Sequence, residues 1–384
     1  MDEVRKGTPV KAKKAKTKKA KTETVCTKKA ETKPAQTKRA ETDREIQSLD
    51  ALFAEAGLTR HRREKSANVL KRVRQRILTP EELRQPLDAV FNEAENGVKW
   101  LSVPGWESES WLWHGFSTRQ GGVSQVYCSE GTKGELNLGF TPEDDAANVT
   151  ENRLRLAEAI SGLRQTRMRT LRQIHSDLVI KREETDRVGL AASRKGDGWL
   201  SDEAGGLWAI QTADCIPVLV ADRRQRVVAA FHAGWRGTVR RIVECGVGRM
   251  RLDYGSRPED LIAAIGPGVG PCCYAVGEEV LSEFESQFAY KDDLVHEVYE
   301  TDSVRTRYPM LFLTQRAPGH SEIGPSLHLD LAEANRRQLV DAGVRPDAIH
   351  RLGGCTSCQR EWFFSHRASQ GYAGRMMSVI GIRD

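Results

Sequence analysis

Two stretches of this chain end apolar, strand-like runs on a soft metal ligand: Thr212-Ala213-Asp214-Cys215-Ile216-Pro217-Val218-Leu219 and Ala230-Phe231-His232-Ala233-Gly234-Trp235-Arg236-Gly237. Leu207, Trp208, Ala209 and Ile210 lead into the first and Val227, Val228, Ala229 and Ala230 into the second, so neighbouring buried strands can carry Cys215 and His232. His175, in Arg172-Gln173-Ile174-His175-Ser176 ahead of the apolar Leu178-Val179-Ile180, is a third candidate. A thiolate with two imidazoles suits zinc, and three protein ligands with one open position is the usual catalytic arrangement. Taken singly, each residue has a plainer reading. Cys215 is then a small buried hydrophobe and His232 a hydrogen-bonded core imidazole.

The elements that must position these ligands lie in a body of mixed character. Strands are expected at 207–211, 216–221, 227–232 and 261–265, and helices at Val149–Ile160, Val239–Met250, Glu278–Phe288 and Leu331–Ala342. Gly-Pro punctuation at 266–271 marks a loop beside a strand end. The alternation is not a strict strand-helix repeat, which favours an α+β fold with mixed sheets over a doubly wound parallel one. Ahead of the body, Ile46, Leu49 and Phe53 share one helical face and Val69, Val73 and Ile77 another. Thr79-Pro80-Glu81-Glu82 supplies an N-cap, a first-position proline and a capping-box glutamate for a helix through Leu83, Leu87, Val90 and Phe91. The organisation expected is a disordered tail over 1–42, a helical extension over 43–97 and an enzyme domain over 98–384.

Composition bounds the partners. Of 59 Lys and Arg and 53 Asp and Glu, residues 1–42 hold 14 and 5, leaving a body with 45 and 48 that is slightly acidic. The Lys-Ala-Lys-Lys-Ala-Lys-Thr-Lys-Lys-Ala run at 11–20 lacks aromatic, Leu and Ile residues, so it cannot offset its ordering entropy by burial. Two readings of that basic tail stay open: nucleic-acid binding by charge and without base stacking, or a solvated segment with no dedicated partner. The sequence has no run of about 18 apolar residues to span a bilayer and no apolar core of a secretory signal near the start. Eight cysteines in 384 residues are too sparse for a disulfide scaffold, and a cytoplasmic setting with no membrane partner is expected.

Several segments in one order carry a family resemblance running from about Trp113 to the C-terminus. They are His114-Gly115-Phe116-Ser117-Thr118-Arg119 with Gly121-Gly122-Val123-Ser124, Leu136-Asn137-Leu138-Gly139, Gln173-Ile174-His175-Ser176 and Gly196-Asp197-Gly198, followed by the two ligand stretches. Ile265-Gly266-Pro267-Gly268-Val269-Gly270-Pro271, Asp330-Leu331 with Ala334-Asn335, Cys355-Thr356-Ser357-Cys358 and Phe363-Phe364-Ser365-His366-Arg367 complete the set. The chain resembles the laccase-domain, polyphenol-oxidase-like family, also called peptidoglycan-editing-factor-like. That resemblance implies a layered α/β/β sandwich and zinc-dependent purine nucleoside chemistry. It maps the metal ligands onto His175, Cys215 and His232, with Cys215 and His232 also in the catalytic set.

Two reactions are implied: phosphorolysis at C1′ of adenosine, inosine, guanosine or methylthioadenosine, and deamination at C6 of adenosine to inosine. Purine nucleosides and phosphate are then the partners. Arg119, in a Gly-rich turn, is expected to act catalytically as a planar fork guiding phosphate or a nucleoside oxygen, and Asn137 to bond ribose or base. Asp214 is a ligand-orienting or proton-shuttling residue, or an ordinary structural carboxylate. Copper stands behind zinc as the metal. Multicopper oxidation needs many histidines, usually with His-x-His pairs, and this chain has nine and no such pair.

Three alternatives remain open at this level. A cysteine hydrolase or amidase acting on cell-wall precursors would use Cys215 as nucleophile and His232 as base. A copper-dependent polyphenol oxidase is the chemistry of the family's older name. His320-Ser321-Glu322 followed by Cys355-Thr356-Ser357-Cys358 mimics the zinc signature of nucleobase deaminases, but without the proline before the first cysteine. Packing or redox roles are the expectation for Cys355 and Cys358, with Cys272 and Cys273 equally ambiguous.

Overall fold

The computed structural model describes residues 78–128, 134–183, 194–298 and 326–384. The basic tail, the helical faces built on Ile46 and Val69, and the His320-Ser321-Glu322 triplet lie outside the described residues.

Two six-stranded sheets form the body. The first runs β1 (Val90–Glu93), β2 (Lys99–Ser102), β3 (Leu112–Ser117), β16 (Met376–Ile382), β8 (Gly206–Thr212) and β5 (Arg167–Thr170). The second runs β15 (Ile349–Arg351), β11 (Leu261–Ile265), β9 (Ile216–Asp222), β10 (Val227–Ala233), β7 (Gly198–Ser201) and β6 (Val179–Lys181). A three-stranded sheet of β12 (Ala275–Val276), β14 (Ser326–Leu329) and β13 (Val295–Val298) is separate, and β4 (Gln120–Ser124) is bridged to Glu135. Both large sheets are mixed, with β5·β8, β6·β7 and β11·β15 parallel.

Side-chain alternation along the strands decides the layering. On β9, Val218 and Val220 join a core with the helices, whereas Leu219 and Ala221 point between the sheets with Val228 and Ala230 of β10 and Ile210 and Ile380 of the first sheet. Strands buried on both faces read as unbroken apolar runs, which is why 216–221 and 227–232 are legible as strands.

Six helices complete the description: α1 (Pro80–Leu83), α2 (Ala146–Ser161), α3 (Trp235–Val239), α4 (Ile242–Tyr254), α5 (Glu278–Gln287) and α6 (Leu331–Asp341). Ile242, Val243, Val247 and Met250 of α4 and Leu331, Ala334 and Leu339 of α6 cover the second sheet. This gives the expected α/β/β layers. On the other side, Leu156 and Ala157 of α2 meet Leu207, Ala209, Met377 and Val379, so a further helical layer covers the first sheet.

Two helix expectations need correction. The capping box at Thr79 forms, with Glu82 N–H donating to Thr79 Oγ1 at 3.3 Å and Thr79 N–H to Glu82 Oε2 at 3.0 Å. The helix it opens nonetheless ends at Leu83, because Arg84 turns extended and Pro86 disfavours helical backbone for the residue before it. Val90 and Phe91 then pair with Ser102 and Leu101 as a strand. The single helix expected over Val239–Met250 is broken at Arg241, whose φ of 61° lies in the left-handed region.

Candidate active site

The chain passes between the two large sheets four times; residues 202–205 link β7 to β8, and the other three crossings carry residues of one cleft. In the first of these three, residues 171–178 lead from β5 to β6, in the second residues 213–215 lead from β8 to β9, and in the third residues 352–375 lead from β15 back to β16. The first crossing carries His175 and the second Cys215, while His232 sits near the end of β10, opposite Pro217. The ligand atoms of His175, Cys215 and His232 lie within 4.8 Å of one another. The His175 and His232 rings meet edge to face at 4.9 Å between centroids.

Asp197, between the first crossing and β7, holds this group together. Its buried carboxylate accepts from the backbone N–H groups of Ile174, His175 and Ser176 at 2.7 to 3.2 Å and from Ser176 Oγ at 2.7 Å. It also meets His232 Nδ1 at 2.9 Å, and its backbone carbonyl accepts from His232 N–H at 2.7 Å. A proton on Nδ1 facing a carboxylate leaves Nε2 as the free lone pair, the arrangement common to metal-bound histidines. His175 has φ 57° and Asp214 φ 92°, left-handed values uncommon outside glycine, and both residues flank the site.

Electrostatics here are set by the same few groups. Burial raises Asp197, but bonds from His232 and Ser176 more than offset it and bring the carboxyl to about 2. Burial likewise raises the Cys215 thiol, and the adjacent imidazoles reverse this to about 6. For His232 burial lowers the pKa, yet the Cys215 thiolate and Asp197 bring it to about 9. The site therefore offers a readily ionised sulfur and two imidazoles, and a soft divalent cation binding there takes the place of the proton on His232 Nε2. A Cβ on Gly234 would stand 3.0 Å from Cys215 Sγ and 3.3 Å from His175 Cδ2, so the backbone passes close beneath the ligands. His175, Cys215 and His232 are candidate metal-binding residues by chemistry and by placement.

The three ligands open onto a cleft of about 520 Å³ whose walls include Gln173, Gln211, Asp214, Tyr274, His366, Arg367 and Arg375. That volume is in the range of small-molecule sites. The Gln173 side-chain amide donates to Gln211 O at 2.8 Å and accepts from Gln211 N–H at 2.7 Å. Asp214 acts as a tie: its carboxylate accepts from Thr356 Oγ1 and from Arg367 N–H, both at 2.7 Å, pinning the third crossing to the second. Arg367 lies over the Tyr274 ring at 4.9 Å. Burial pushes the Tyr274 hydroxyl up to about 12, keeping it a donor.

Arg119 and Asn137 stand outside the lining of this cleft. The Arg119 guanidinium is buried and its nitrogens are engaged by Glu135 at 2.8 Å, the Arg360 carbonyl at 2.9 Å and the Tyr127 carbonyl at 2.8 Å, with Phe364 against its face. Asn137 is fully buried and donates to Gly139 O and Asp144 Oδ2 while accepting from Gly139 N–H and Arg375 N–H. Both residues hydrogen-bond to the third crossing, Arg119 at the Arg360 carbonyl and Asn137 at the Arg375 N–H. Sequence reasoning passed over Asp197, His366, Arg367 and Arg375, although three of them stand in the segments quoted for the resemblance. Cys355 and Cys358 gather with Cys272 and Cys273.

A family described as multi-copper polyphenol oxidoreductase laccase matches residues 113–383. The chain belongs to this family. Among its relatives are the purine nucleoside phosphorylase YlmD of Geobacillus stearothermophilus, 35% identical over 70% of this chain and 90% of that protein, and a purine nucleoside phosphorylase of Deinococcus radiodurans, 36% identical over 70% and 88%. The crystal structure of the Geobacillus stearothermophilus YlmD superposes with a TM-score of 0.61 at 31% identity, over 77% of this chain and all of that one. The laccase-family match covers these three crossings, so the cleft lies wholly within the shared region.

Proposed function

We propose that this chain is a zinc-dependent purine nucleoside phosphorylase that also deaminates adenosine at the same cleft. The observation carrying the reading is the convergence of His175, Cys215 and His232 at the mouth of a nucleoside-sized cleft walled by Arg367 and Arg375. Relatives named purine nucleoside phosphorylase support the reaction class. Zinc, when bound, supplies Lewis acidity that polarises a substrate atom and makes a water acidic.

The chain's own residues do the rest. In phosphorolysis a phosphate oxygen bonds to C1′ as the C1′–N9 bond breaks, and the departing purine takes up a proton. Arg367 and Arg375 neutralise and orient the incoming anion, the role expected from sequence for Arg119, whose fork is already committed. His366 is the proton donor to the purine, and the Tyr274 hydroxyl, kept protonated by burial, bonds an oxygen of the substrate. The interlocked Gln173 and Gln211 fix the cleft wall beside His175. In deamination water replaces the C6 amino group, which leaves as ammonia.

The test is chromatography of adenosine and inosine incubated with purified protein, with and without phosphate. Release of free base and ribose-1-phosphate that depends on phosphate, is lost on chelation and returns with zinc is the expected outcome. A protein that releases neither base nor inosine would overturn the reading. One observation favours a second reading: a Cys215 thiol near 6 beside a His232 near 9 is the ion pair of a cysteine hydrolase. That enzyme would ignore the chelator and be silenced by alkylation. Copper-dependent oxidation would instead follow copper content and consume oxygen.

A further inference from the structure

Away from the cleft ligands, four cysteines from two distant turns come together. Cys272 and Cys273 follow Pro271 in the turn after β11, and Cys355 and Cys358 open the third crossing. All four Sγ atoms lie within 4.8 Å of one another, with Cys272 to Cys358 at 3.6 Å and Cys273 to Cys358 at 3.4 Å. Four sulfurs at about 2.3 Å from one tetrahedral zinc stand about 3.8 Å apart, so these separations match the edges of a tetrathiolate site. A disulfide would require about 2.05 Å between two of them. A multi-iron cage would need to force the sulfurs further apart.

We infer that Cys272, Cys273, Cys355 and Cys358 hold a second, structural metal ion, a single zinc bound by four thiolates. Coordination takes the proton from each thiol to solvent and leaves the site with a formal charge of −2. The Arg84 guanidinium lies beside Cys358 and Cys272 and partly balances it. The Gly270 N–H donates to Cys355 Sγ at 3.2 Å, the kind of backbone bond that stabilises a thiolate. Gly270 also has to be small, because a Cβ there would come within 3.2 Å of Cys355 Cβ and 3.3 Å of Cys272 Sγ. Cys358 N–H and Gln359 N–H both return to Cys355 O, folding the Cys-x-x-Cys segment into a tight turn that aims both sulfurs one way.

This ion is a clamp with a consequence for the cleft. Thr356, between the two paired cysteines, is the residue whose hydroxyl holds Asp214. Thr356 N–H bonds Gly268 O and Val269 N–H bonds Asp214 O, so the tetrathiolate locks both turns against the residue preceding Cys215. It also fixes the start of the segment that delivers His366 and Arg367.

The inference is tested by elemental analysis of the purified full chain and of a His175→Ala/Cys215→Ala/His232→Ala variant that has lost the cleft ligands. Two metal equivalents in the parent protein and one in the variant are expected. Cobalt substitution of that variant should give the intense thiolate charge-transfer band of a four-sulfur site, and Cys273→Ser with Cys358→Ser should remove it. No metal in the variant would overturn the inference, whereas one equivalent in both proteins would leave this cluster filled and the cleft without metal. A disulfide among these four cysteines, detected by mass spectrometry after alkylation of the unreduced, denatured chain, would also overturn it. Since the readouts are metal content and spectrum, they stand independently of which nucleoside reaction the cleft performs.

Discussion

Asp197 combines two jobs that are usually divided: it caps the turn bearing His175 and it orients His232. Replacing it by Asn turns one acceptor oxygen into a donor that faces either N–H groups or the imidazole. Zinc affinity of Asp197→Asn should fall by about 10- to 100-fold, the usual loss when a partner of a metal-bound histidine is removed. Competition with a chromogenic chelator measures this, and an unchanged affinity would contradict the orienting role. His114 offers a prediction about stability. It accepts from Val103 N–H at 3.1 Å, and burial lowers its pKa from 6.5 to about 4. As pH falls through 6.5 the unfolded chain binds a proton that the folded one refuses, so stability drops until about pH 4. The loss approaches ~3 kcal/mol, and His114→Gln should flatten this part of the profile in urea titrations at successive pH values.

At the scale of elements, the crossings between sheets decide the site, and they were unevenly legible. The strands leading to Cys215 and His232 were readable because burial on both faces leaves an apolar run ending abruptly in polar sequence. β16 was not singled out, although its Met376-Met377-Ser378-Val379-Ile380 is as buried, because no chemistry-bearing residue ends it. Val90-Phe91 was misread because two apolar residues after a true capping box fit either periodicity, and only pairing with Leu101 and Ser102 decides. The roles expected for Arg119 and Asn137 came from motif context, which marks a position as special without saying whether it faces ligand or backbone. Asn137 is predicted to act through the third crossing. Asn137→Ala leaves Arg375 N–H and Gly139 N–H without their side-chain acceptor, destabilising the fold by about 1–3 kcal/mol. On the proposed phosphorolysis, its phosphate KM should rise more than its kcat falls, since Arg375 is displaced while His175, Cys215 and His232 stay. Equal effects on both constants would argue against this division.

For the whole molecule, the two proposed metal sites would link ion binding to the fold. A ligand present at a hundredfold excess over its Kd and bound only by the native chain adds about 2.7 kcal/mol. Stripping metal from the folded body should therefore lower Tm by roughly 5 °C or more, and re-added zinc should restore it. Calorimetry of metal-free and reconstituted protein checks this, and a Tm indifferent to metal would count against any structural contribution from bound ions. Sequence order hides this unity, because residues 175, 215, 232 and 356 meet only after the sheets have been stacked and three separate segments have passed from one to the other.

β16 lies between β3 and β8 in the middle of the first sheet, yet it is made after every residue of the cleft. The native pairings of β3 and β8 on that side therefore form only after the last crossing has been made. The placement of Arg375, which immediately precedes Met376, then depends on that strand being in the sheet. A protease that nicked the chain just before Met376 would leave two apolar strand edges open to other molecules, so loss of activity and onset of aggregation should appear together.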